Sequence, residues 1–111
     1  MTEVFSNGLS AEEVERLSLL AEECGEVIQA IGKILRHGYS STHPVTGVVN
    51  GEALEKEVGD VLCAICYMTS DLSGNAIEAH QRLKLRRVRE YLHHQTIHPD
   101  ECELRFVAPK N

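Results

Sequence analysis

The sequence predicts an all-α fold, a helical bundle of three main helices with a short irregular C-terminal tail, completed by oligomerisation. Apolar residues recur at helical spacing in three segments separated by turn-forming residues, and a capping box opens the first segment. The apolar stripes are too wide for a chain of 111 residues to cover with its own modest core. The whole chain, 1–111, reads as a single domain.

Each element has its own signal. Ser10 begins "SAEEV", and Glu13 three residues later completes a capping box. Val14, Leu17, Leu20, Cys24, Ile28, Ile31 and Leu35 follow at helical spacing, so a helix is predicted over about 11–37 with Gly38 as its stop. The next stretch, "YSSTHPVTGVVN", is rich in Ser, Thr, Pro and Gly and has no helical period, which predicts a surface loop with Asn50 as the cap of a second helix. That helix, over about 51–72, carries Leu54, Val58, Val61, Leu62, Ile65 and Met68 and ends near "DLSGN". A third helix is predicted over about 76–93. In the tail, 95–111, the short apolar run Leu104 to Val107 suits a strand or an extended arm against a partner subunit.

Charge narrows the function classes. A net charge of −6 argues against a nucleic-acid partner, because such binding draws its affinity from phosphate neutralisation. The charge is segregated, with six of 17 acids between Glu12 and Glu26 and five of 11 bases between Arg82 and Arg89, a pairing that suits a metal-bound anion. No apolar run approaches the ~20 residues of a membrane span, and the start "MTEVFSNGLS" has no export signal, so a cytoplasmic protein is expected. Cys24, Cys63, Cys66 and Cys102 read as reduced thiols, three of them buried within helical patterns.

The least expected residue is Glu57. On a helix of about 100° per residue, Leu54, Val61, Ala64 and Met68 all lie within about 60° of it, so this carboxylate sits inside the apolar stripe. An unpaired charge there would protonate rather than stay ionised, which calls for a counter-charge or a cation. Asp60 follows one turn on, giving "EVGD". Helix one repeats the arrangement in "ECGE", where Glu23 is bracketed by Leu19, Val27 and Ala30 and Glu26 lies further round toward the polar side. Two such pairs can converge on one bundle interior, where hard oxygen ligands select Mg²⁺, with Mn²⁺ as a substitute. The competing reading is solvated acids paired with Lys33, Lys56 or Arg16. Glu22 falls on the outer side as a solvated acid, with a water-orienting base as its alternative role.

The third helix supplies cations. Lys84 lies in its stripe with Arg87 within about 60°, facing the same interior as the acids. There they would share the charge of a polyphosphate, or Lys84 would simply pair with Glu57. "CAIC" at Cys63 to Cys66 lacks a second pair and reads as packed thiols, and "HHQTIH" reads as exposed histidines at a helix end. No glycine-rich phosphate loop is present.

Taken together, "EECGE" on a first long helix, "EVGD" on a second and "KLRRVREYL" on a third resemble the MazG-like nucleoside triphosphate pyrophosphohydrolases, over residues 10 to about 94. The resemblance implies an all-α protein that assembles helices from two or more subunits, as a homodimer or homotetramer, around a magnesium site. The implied reaction is Mg²⁺-dependent hydrolysis of a nucleoside triphosphate (NTP or dNTP) between its α- and β-phosphates, giving the monophosphate and pyrophosphate. By position, Glu23, Glu26, Glu57 and Asp60 would be the catalytic metal ligands, and Lys84 and Arg87 would hold phosphate. The 30 residues between Glu26 and Glu57 are at the long end for that family, an excess that falls in the loop before the second helix. A narrower activity, dUTPase-like or phosphoribosyl-ATP pyrophosphatase-like, and a non-catalytic module that binds a nucleotide or a partner helix are the alternative functions.

Overall fold

A computed structural model describes residues 6–99 and Cys102. Among them the fold is all-α: three helices, a single 3-10 turn, and no strand beyond one isolated bridge. The chain divides after Met68 into two compact units. No helix among the described residues is long and apolar enough to cross a membrane.

The first unit is a hairpin of two helices. Helix α1 runs Ala11–His37, as the capping box and Gly38 predict. The Glu13 N–H donates to Ser10 Oγ at 3.1 Å and the Ser10 N–H donates to Glu13 Oε1 at 3.0 Å, satisfying two amides that the helix itself leaves unpaired. At the other end Gly38 has φ +88, a region that a side chain would strain, and its N–H donates to the Ile34 carbonyl at 2.7 Å.

The connection 39–49 is more tightly built than its composition suggests. An antiparallel bridge joins Thr42 to Val49, and the His43 N–H donates to the Val48 carbonyl at 2.8 Å. His43 Nδ1 accepts from the backbone N–H groups of Val45 and Thr46, both at 3.1 Å, so the imidazole folds the tip around itself. Gly47, at φ +74, closes this turn.

Asn50 does not cap the second helix; it is that helix's first residue, since α2 runs Asn50–Met68. Its side chain reaches the opposite way, donating from Nδ2 to the Gly38 carbonyl at 3.1 Å, and it is the one buried polar residue described. The Asn50 N–H to Ser41 carbonyl and Gly51 N–H to Tyr39 carbonyl bonds complete the clasp, at 2.9 and 3.0 Å. The start of α2 is thereby tied to the end of α1, and the two helices pack antiparallel.

The second helix ends at Met68, four residues before the predicted 72. Beyond Met68 the segment "TSDLS" carries short polar side chains that compete locally for the backbone, and Leu72 is half exposed, so no burial rewards a further turn. The buried hydrophobic residues described are Ala30, Ala64 and Met68, a thin core. Cys24 and Cys63, expected inside, are exposed on the single chain, and none of the four cysteines is joined in a disulfide.

In the second unit α3 spans Gly74–Arg87, then tightens into a 3-10 turn at Val88–Glu90. The predicted 76–93 is shifted and too long. Ser73 caps the helix earlier by accepting the Ala76 N–H at 3.2 Å. At the far end no buried side chain rewards continued α geometry, and the shorter Tyr91 N–H to Val88 carbonyl bond, 3.0 Å, satisfies the terminal carbonyls instead. The apolar run Leu104 to Val107 lies outside the described residues.

Candidate metal centre

Glu23 from α1 and Glu57 and Asp60 from α2 meet across the hairpin. One carboxylate oxygen from each lies within 4.8 Å of the others, and all three residues are half-buried. Because Glu57 and Asp60 are three residues apart they occupy one face of α2, and the clasp at Asn50 sets the register that brings Glu23 opposite them. The Glu57 side chain is only 18% exposed against 39% for Asp60, in accord with its place inside the apolar stripe.

Of the four acids the sequence singles out, Glu26 is the one outside this group. It is half-buried on α1, one turn beyond Glu23 and about 60° further round the helix. Glu22, the residue before Glu23, is exposed.

The nearest cation is on the same helix. Lys56 Nζ donates to Asp60 Oδ2 at 2.8 Å and lies 3.7 Å from Glu57 Oε1. That hydrogen bond, with the charges of Asp60 and Glu57, raises the Lys56 pKa above its usual value. The i, i+4 spacing of Lys56 and Asp60 is legible in the sequence as a surface ion pair. One exposed ammonium leaves the group with an excess of negative charge.

Glu23 registers that excess. Its carboxyl is held above the usual 4.5, first by partial removal from water and then by the charges of Asp60, Glu22 and Glu57, with Lys56 opposing. Three crowded carboxylates, one of them resisting ionisation, form a hard, oxygen-only donor set of the kind that suits Mg²⁺ or Mn²⁺. A divalent cation there would remove the repulsion that Lys56 only partly offsets.

Lys84 and Arg87 lie on α3, in the second unit. Both are exposed, and the Lys84 ammonium stands 5.4 Å from the centroid of the Tyr91 ring, a cation–π contact that the sequence reading missed. Lys84 and Tyr91 are seven residues apart, two turns along one face, and that spacing is the signal that could have suggested it. Arg82, further up the helix, pairs with Glu78 at 2.7 Å.

A family model described as the MazG nucleotide pyrophosphohydrolase domain matches residues 12–88, from the first turn of α1 to the end of α3. No curated protein and no solved structure matches the chain. The matched span takes in the three converging carboxylates and more than half of the sequence, and the chain belongs to the MazG nucleotide pyrophosphohydrolase domain family.

Proposed function

We propose that the protein hydrolyses nucleoside triphosphates, NTP or dNTP, between the α- and β-phosphates to nucleoside monophosphate and pyrophosphate. The observation that carries this reading is the convergence of Glu23, Glu57 and Asp60 from two helices within a chain of the MazG family. Glu23, Glu57 and Asp60, with Glu26 one turn away, would hold Mg²⁺, and Mn²⁺ would substitute. When bound, the metal shares the charge of the triphosphate and lowers the pKa of water, the chemistry a phosphoanhydride hydrolase requires.

The chain's own residues account for the rest. Glu23 must lose its proton to serve as a ligand, and its raised pKa keeps that proton in reach as the pH falls. Lys56 holds Asp60 in place from the solvent side. Lys84 and Arg87 are assigned to the phosphates by the family resemblance, and their fixed positive charge suits that task. Because the family match spans both compact units, we read them as parts of one domain.

Oligomerisation, as a homodimer or homotetramer, belongs to the same proposal. Helix α1 bears Leu17, Ile28, Ile31 and Leu35 on the side away from its packing with α2, at 42, 70, 41 and 82% exposure. A long helix with a second uncovered apolar stripe is the surface a second copy would bury.

Incubating the protein with Mg²⁺ and each of the eight common NTPs and dNTPs, and scoring pyrophosphate against orthophosphate, tests the reaction. Pyrophosphate is expected. Orthophosphate would contradict the bond assignment, and binding without product would mean a non-catalytic module.

A further inference from the structure

Beside the carboxylate group, the first half of α1 and the last turn of α2 enclose a groove of about 540 Å³. Val14, Leu19 and the Tyr67 ring form its apolar walls, and Glu15, Ser18 and Glu22 supply polar atoms. Arg16 also lines it and has a partner of its own. Apart from the charge of Glu22 beside Glu23, these side chains stand outside the metal centre.

Its position follows from helix geometry. Tyr67 is seven residues beyond Asp60 on α2, which is two turns, about 10 Å, along the same face. On the antiparallel α1, the groove residues Glu22, Leu19, Ser18 and Glu15 run back from Glu23 in the same direction. A nucleotide with its phosphates at Glu23, Glu57 and Asp60 therefore has room in this direction for its sugar and base.

The lining chemistry selects among bases. An exposed aromatic ring is a stacking platform for any of them, and Tyr67 is 58% exposed. The carboxylate oxygens of Glu15 and Glu22 are hydrogen-bond acceptors, so they favour a base that presents an exocyclic amine. Uracil and thymine place carbonyl oxygens on both sides of their single imino N–H, and those oxygens would face carboxylates.

Resting on the reaction proposed above, we propose that this groove holds the nucleobase, with Tyr67 stacking on it and Glu15 and Glu22 accepting from its amine. The substrates are then triphosphates of cytosine, adenine or guanine, in preference to those of uracil or thymine.

The test compares dCTP, dATP, dGTP, dUTP and dTTP by pyrophosphate release, with wild type, Tyr67→Ala, Tyr67→Phe and Glu15→Gln. The α,β-imido analogues of the same nucleotides are titrated in parallel by calorimetry. Loss of stacking in Tyr67→Ala should raise KM about tenfold for every base while kcat stays within about twofold, and Tyr67→Phe should restore it. Glu15→Gln should narrow the gap between amine-bearing bases and uracil or thymine. Circular dichroism checks that each variant retains its helices, as expected for half-exposed side chains.

An unchanged KM in Tyr67→Ala, or a wild-type preference for dUTP or dTTP, would overturn the assignment. If no pyrophosphate forms but the imido analogues bind in a Tyr67-dependent way, the groove assignment stands and the hydrolysis reading fails. Pyrophosphate release indifferent to Tyr67 and Glu15 would do the reverse, and absence of both binding and turnover would overturn the two together.

Discussion

Glu23 behaves unlike most folded-state carboxylates, whose partners hold their pKa down. Burial and three neighbouring acids raise it, so the native, metal-free protein binds its proton more readily than the unfolded chain does. Stability associated with this group is therefore greatest at low pH, below the unfolded value of 4.5, and is lost as the pH rises through the higher folded value. Glu23→Gln, which cannot ionise, should raise the melting temperature of the metal-free protein at pH 7, with an advantage that shrinks toward pH 4.5. Thermal melts across that range check this, and a variant less stable than wild type at pH 7 would contradict it. The prominence of Glu57 was legible in the sequence because a carboxylate inside an apolar stripe breaks the pattern around it. The separation of Glu26 from the other three was not, because residue spacing fixes an angle on the helix but not where a flexible side chain ends.

At the scale of elements, register between α1 and α2 is what turns three scattered acids into a site. Asn50 sets that register through its bond to the Gly38 carbonyl. Asn50→Ala removes this part-buried bond, and a loss of about 1 kcal/mol in unfolding free energy is expected, with weakened Mg²⁺ binding as the helices slip. Urea denaturation and calorimetry measure the two effects. The sequence revealed α1 from end to end because its capping box and terminal glycine are local devices. It misplaced the end of α2 because apolar spacing continues to Leu72, while the backbone answers to the short polar residues between. Asn50 was noticed as a helix-start residue, yet its actual bond spans the loop, and no local rule encodes a partner 12 residues away.

For the whole molecule, the notable quantity is how little of the described chain is covered. Ala30, Ala64 and Met68 are its only buried hydrophobic residues, while Ile28 and Leu35 remain 70 and 82% exposed. The sequence announced this through stripes wider than one helix pair can use, which is why assembly was expected from composition and periodicity. Replacing Ile28 and Leu35 together by Glu should convert an assembled protein to monomer, seen by light scattering coupled to size-exclusion chromatography. A wild-type protein that is already monomeric would contradict the oligomer proposal. The segregation of acids on α1 and bases on α3 was equally visible in the sequence, whereas the loop clasp built around His43 was hidden by its turn-like composition.

The central claim is that the carboxylates joining α1 to α2 support cleavage between the α- and β-phosphates. Its most direct test is Mg²⁺-dependent pyrophosphate release by wild type and Glu57→Gln with the preferred nucleotide. Wild type should yield monophosphate and pyrophosphate in equal amounts. Glu57→Gln should lose at least about a hundredfold in rate while melting no lower than wild type without metal. Full pyrophosphate release by Glu57→Gln, or orthophosphate as the wild-type product, would contradict the account.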